Sequence, residues 1–195
     1  MSDQLLWYTT RGAGAVSLVL LSAVVVLGLL ARVRFETRGW PRFLSAAVHG
    51  DLALMTLVFL LLHIVTAVVD PFTHLGLVAA LVPFGSYYRT FWLGLGTIAF
   101  ELLIAIVATS LLRRRLGARA WRAIHWLAYA SWPIAVVHGI GTGTDGTALW
   151  MLVIDVVCIG AVGAALVWRL VAAPPDPLAE ERRGAAERAS FGAGR

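Results

Sequence analysis

The chain has 195 residues, 59% of them apolar and 14% charged, against roughly 45–50% and 25% in a soluble domain. With a mean hydropathy of +0.82, this excludes a disordered chain, a fibrous chain and an ordinary soluble enzyme. All 16 basic residues are Arg and the formal net charge is +5, but the Arg lie between apolar runs, so they read as membrane topology and not as a nucleic-acid surface.

Crossing a hydrocarbon core of about 30 Å takes roughly 20 apolar residues of helix. Five segments qualify in chain order: about 13–31, 48–69, 91–112, 121–140 and 148–171. The first is too long for the core of a cleaved signal peptide, and no small-x-small site in it is followed by a polar mature domain. Residues 70–90 form a long loop with an apolar middle from Leu75 to Phe84, expected as an interfacial or re-entrant helix. The segment from Ala173 opens Pro174-Pro175-Asp176-Pro177 and continues in Glu, Arg, Ala and Gly. That composition cannot bury a core. The expected division is a membrane domain over 1–172 and a flexible cytoplasmic tail over 173–195. The one cysteine, Cys158, excludes an internal disulfide, a cysteine-based zinc site and the C-x-x-C-H attachment of a c-type heme.

Arginine sets the orientation. Arg32, Arg34, Arg38, Arg42, Arg113, Arg114, Arg115, Arg119, Arg122, Arg169, Arg182, Arg183, Arg188 and Arg195 fall on one side, and only Arg11 and Arg89 on the other. The positive-inside rule then puts the N-terminus outside and the C-terminus in the cytoplasm. The expected fold is an all-α, multi-pass bundle of five transmembrane helices in the cell membrane.

Four of the five histidines lie inside two spans. His49 and His63 are fourteen residues apart on the second, and His125 and His138 thirteen apart on the fourth. Ionisable residues within spans are costly and face the bundle interior. Alternate helices run the same way, so His49 and His125 share one depth near the cytoplasmic face. His63 and His138 share another near the outer face, about 20 Å away at 1.5 Å per residue. A planar macrocycle needs one ligand above and one below its iron, and two facing helices with a His at one depth supply both. The reading is two stacked b-type hemes, each held by two imidazoles and suited to outer-sphere electron transfer. Fourteen residues return to within about 40° of the same helix face, whereas thirteen miss it by about 140°. Pro133, between His125 and His138, is expected to kink the helix and reconcile the faces. The plainer alternative makes these His isolated interhelical hydrogen-bonding groups. His74, in the loop, reads as a surface residue.

Other residues carry less. Gly141 to Gly146 match G-x-G-x-x-G, but between two spans the match lacks the strand–turn–helix setting of a dinucleotide site, and the glycines are expected to form a flexible turn. Glu101 and Asp155 lie within spans, as proton-path or supporting groups or as carboxyls bonded to a neighbouring helix. Arg42, Arg89 and Arg122 are candidates for heme propionates. Trp126, Tyr129 and Trp132, with Phe59, are expected between the two His levels.

On these His pairs, over roughly residues 7–171, the sequence resembles the ferric reductase-like transmembrane domain family. That family includes the membrane domains of NADPH oxidases and ferric reductases and the heme-binding subunit of the methionine sulfoxide reductase. The resemblance implies that His49 and His125 bind an inner heme b and His63 and His138 an outer one, with no catalytic residue of the chain's own. NADPH oxidases have six spans and a flavin and nicotinamide domain after the last. With five spans and a short tail, the expected electron donor is a separate protein or the quinone pool, and the outer acceptor is ferric iron, oxygen or a redox protein. Two rivals remain. One is a heme-free transporter or metal and proton channel using the His with Glu101 and Asp155. The other is an assembly protein whose tail recruits a partner.

Overall fold

In a computed structural model of the chain, the described residues are 2–32, 42–71, 75–143 and 148–172. His74 and the expected tail lie outside them. The described residues form eight helices and no strand: α1 (Ser2–Arg32), α2 (Arg42–Val69), α3 (Leu77–Leu81), α4 (Thr90–Leu111), α5 (Arg113–Leu116), α6 (Ala118–His125), α7 (Ala128–Thr142) and α8 (Leu149–Val171).

Four helices are long and apolar enough to cross a membrane: Gln4–Ala31, Leu44–Val69, Thr90–Leu111 and Leu149–Val171. The fifth expected span, 121–140, is divided between α6 and α7, of 8 and 15 residues, so neither reaches spanning length alone. The division falls at Trp126 and Leu127. There the backbone tightens: Leu127 N–H donates to Ile124 at 2.9 Å, Tyr129 to Trp126 at 3.1 Å and Ala130 to Leu127 at 3.0 Å. These are three-residue steps of the 3₁₀ kind. The expected distortion therefore sits upstream of Pro133, which itself lies within α7.

α1 is the hub, packing on α2, α8 and α7, while α4 packs on α7, α6 and α3. One face of α8 is buried at Asp155, Cys158, Val162 and Ala165, a stripe at helical spacing. Val162 and Ala165 join Val25 and Leu29 of α1, and Cys158 joins Leu18 and Val136, with Trp132 packed on both clusters. The outward face of α2, including Leu54, Val58, Leu62 and Val65, is exposed, as suits a helix whose solvent is lipid. Lipid weakens the hydrophobic drive between helices, so close packing and polar cross-links hold them together. Thr10 Oγ1 donates to Thr66 Oγ1 at 2.8 Å between α1 and α2, and Trp132 Nε1 to Ser22 Oγ at 2.9 Å between α7 and α1.

Among the described residues of the 70–90 loop, the helical part is the five-residue α3. Leu77 and Leu81 are exposed on it, and Thr97 Oγ1 of α4 donates to Ala79 O at 3.0 Å. Phe84 and Arg89 take positive φ, 64° and 42°. The Phe84 ring fills the space that the missing Gly94 side chain leaves.

Candidate cofactor site

The structure brings the four spanning histidines together as two pairs. The His49 and His125 ring centroids are 6.1 Å apart with planes at 59°, and those of His63 and His138 are 6.4 Å apart at 80°. α2 and α7 make no extensive backbone contact with each other among the described residues. His63 meets His138 of α7, and His49 meets His125 at the end of α6.

The tight turn at Trp126 and Leu127 explains how a thirteen-residue spacing matches a fourteen-residue one. A 3₁₀ step turns about 120° and rises about 2.0 Å, against about 100° and 1.5 Å for an α step. The three bonds cover about five residue steps between His125 and Ala130, which at about 20° and 0.5 Å each recover up to about 100° of the 140° mismatch and add up to about 2.5 Å of length. His125 and His138 then stand on one face with the separation that fourteen α residues give His49 and His63.

Three imidazoles are fixed from behind. His49 Nδ1 donates to Val24 O at 3.0 Å, His63 Nδ1 to Thr10 O at 2.7 Å and His138 Nδ1 to Trp92 O at 2.8 Å. A carbonyl only accepts, so each bond puts the proton on Nδ1 and leaves Nε2 with a free lone pair, the tautomer of a metal ligand. Glycines make the approach possible. A Cβ on Gly14 would lie 2.9 Å from His63 Nδ1, one on Gly28 3.4 Å from His49 Cε1, and one on Gly96 2.5 Å from His138 Cε1. The sequence reading missed these glycines. The signal was available: Gly14 and Gly28 are fourteen residues apart on α1, the spacing of His49 and His63 on the antiparallel α2.

A cavity of about 310 Å³ opens beside His63 and His138, with Thr10, Gly14, Gly96 and Thr97 in its wall. That size is within the range of small-molecule and cofactor sites. Arg11 also lines it, its guanidinium 4.0 Å over the Trp7 ring and its terminal nitrogens buried. Arg11 was expected beyond the first span. α1 instead begins about three turns earlier, which carries Arg11 into the bundle.

The other expected residues stand elsewhere. Arg89 Nη1 donates to Gly141 O at 2.7 Å and Thr142 O at 3.2 Å, a cation closing the carbonyl end of α7. Arg122 Nε donates to Ala118 O of its own helix at 3.0 Å. The side chain of Arg42 lies outside the described residues. Gly141 belongs to α7 and has the Trp92 ring against it, so it is a packing position and not part of a free turn. Residues 144–147 of that motif lie outside the described residues. Trp126 and Tyr129 are exposed, and the Arg169 guanidinium lies over both rings and bonds Tyr129 Oη at 2.8 Å. They face outward and not into the bundle. Glu101 is exposed on the outside of α4. Asp155 is buried on α8, with both carboxylate oxygens unpartnered among the described residues, and does not line the cavity. Neither carboxyl forms a cluster with the histidine pairs among the described residues.

The ring pairs can be tested against a metal between them. An imidazole nitrogen lies about 1.1 Å from its ring centroid and metal–imidazole bonds are about 2.0–2.1 Å, so two rings on opposite sides of one ion have centroids about 6.3 Å apart. The separations of 6.1 and 6.4 Å fit. No cluster of three or more His, Cys, Asp or Glu exists among the described residues, so each site offers two protein ligands. A macrocycle that brings its own equatorial nitrogens needs two.

Residues 13–136 match the family described as the ferric reductase-like transmembrane component. The matched range holds His49, His63 and His125 and stops two residues before His138. No curated protein and no solved structure matches the chain. Domains of this family generally bind heme, and their general role is electron transfer across a membrane. Matched over more than half its length, with four apolar helices long enough to span, the chain is a multi-pass membrane protein that belongs to the ferric reductase-like transmembrane family.

Proposed function

We propose that the chain is a membrane cytochrome b that carries electrons through two b-type hemes from the cytoplasmic to the outer side. His49 and His125 hold the inner heme, and His63 and His138 the outer one. The observation that carries this reading is the paired imidazoles at 6.1 and 6.4 Å, three of them with Nδ1 committed to a backbone carbonyl. When bound, heme would supply one-electron exchange.

The protein's own residues do the rest. The carbonyls of Thr10, Val24 and Trp92 fix ring orientation and raise the basicity of Nε2. The apolar helices exclude water, and Arg11 sets a guanidinium at the His63 level, suited to carboxylates such as propionates. Fourteen residues separate the two levels on α2, about 21 Å at 1.5 Å per residue. The donor is a cytoplasmic protein or the quinone pool, and the acceptor ferric iron, oxygen or a redox protein at the outer face.

The test is the reduced-minus-oxidised spectrum of the purified chain after expression with ample heme. Low-spin heme b at about two per chain is expected. A chain without a Soret band overturns the reading, and binding of free divalent metal instead points to the transporter.

A further inference from the structure

The device that holds three of the histidines has a fixed register. Thr10 is followed four residues later by Gly14, Val24 by Gly28 and Trp92 by Gly96. A helical side chain leans back over the turn before it, so the residue at i+4 overhangs the carbonyl of residue i. Glycine leaves that carbonyl open to an imidazole from the next helix, with no room for a Cβ at Gly14 and Gly96 and an ordinary contact at Gly28.

His125 departs from this. Its Nδ1 is buried and has no partner among the described residues. Fourteen residues beyond Gly96, α4 presents Ser110, four residues after Ile106. Ile106 O already accepts from Thr109 Oγ1 at 3.1 Å. Ser110 Oγ accepts from Trp121 Nε1 at 3.2 Å, and the Trp121 ring lies against His125 with centroids 5.1 Å apart and planes at 30°.

We infer that Ser110 and Trp121 are positioning residues for His125: Ser110 fills the notch that glycine leaves open at the other three crossings and anchors Trp121, whose ring holds the imidazole in place of a carbonyl. The inference rests on the two-heme reading for its consequence. An Nδ1–H bonded to a carbonyl makes a more basic ligand, and a more basic ligand favours the oxidised iron. The inner site thus has one strengthened ligand and the outer site two. Restoring the notch lowers the inner midpoint potential and leaves the outer one alone.

The experiment is a redox titration of the heme-loaded full chain in lipid nanodiscs, with the inner component assigned by its loss in His49→Ala. Ser110→Gly is expected to move only the inner component to lower potential. Trp121→Phe keeps a ring over His125 without the N–H and is expected to shift only the inner electron paramagnetic resonance signal. An unmoved inner component in Ser110→Gly, or equal shifts of both components in Trp121→Phe, overturns the inference. A second readout needs no heme. Nitrogen-15 spectra of labelled histidine in the heme-free chain should show three buried, carbonyl-bonded Nδ1–H groups in the wild type and four in Ser110→Gly. Four in the wild type, or three in both, overturns the inference. A wild-type chain that takes up no heme overturns the cytochrome reading alone.

Discussion

Gly96 gives up its side chain to His138: a Cβ there would lie 2.5 Å from Cε1 and 2.6 Å from Nδ1 of the imidazole. Both atoms belong to a ring with Nδ1 pinned to Trp92 O, one turn back on the same helix. The ring has no room to retreat without losing that bond. Gly96→Ala is therefore expected to displace His138 and remove the outer heme, halving heme per chain while the inner component keeps its spectrum. Gly28→Ala meets only an ordinary contact at 3.4 Å and is expected to keep both hemes. Heme quantification on the two variants checks the contrast.

The two ring pairs differ in twist, 80° between His63 and His138 and 59° between His49 and His125. Ligand planes near perpendicular donate to both iron π orbitals about equally and leave them close in energy. The outer heme is thus expected to give the more anisotropic low-spin resonance signal, with the larger principal g value. His63→Ala and His138→Ala should each abolish that signal and spare the other. If the two substitutions removed different signals, the pairing would be wrong.

What the sequence disclosed follows from which forces leave a pattern in it. Hydrocarbon demands long apolar runs, so four of the five expected spans and the relative depth of each His could be read. Depth alone was enough to pair His49 with His125 and His63 with His138. Angular position was not legible. The tight turn at Trp126 and Leu127 carries no Gly or Pro, and the only marked breaker, Pro133, lies six residues on. An α phase counted from His125 puts Tyr129 within about 40° of its face, whereas Tyr129 stands outside under Arg169. Arg11 was misplaced for a related reason: the helix does not stop where hydropathy falls.

Arg89 joins two elements near the His63–His138 pair. It precedes α4 in a left-handed conformation at φ 42°, which costs a non-glycine residue about 1–2 kcal/mol. It also bonds the last carbonyls of α7, Gly141 and Thr142. His138 lies on that same last turn. Arg89→Gly removes the strain together with the clamp, and Arg89→Ala removes the clamp alone. Both are expected to loosen the outer heme on warming before the inner one, Arg89→Ala the more. Absorbance followed through a thermal ramp, with the two components separated by potential, tests the order.

Asp155 makes a prediction of the opposite sign. Its side chain is 4% exposed, on the α8 face that packs toward α1, and neither carboxylate oxygen has a partner among the described residues. A buried polar group without a hydrogen bond costs about 1–3 kcal/mol. Its neighbours along the stripe, Cys158 and Val162, sit in apolar clusters. Asp155→Val extends those clusters, and is expected to raise the unfolding midpoint in detergent while heme content stays that of the unsubstituted chain. A lower midpoint would mean that the carboxyl has a partner in the membrane, and loss of heme would tie that partner to the cofactor sites. Glu101 is the control. It is exposed on α4 and forms no cluster with the histidines among the described residues, so Glu101→Gln should change neither heme content nor the two resonance signals.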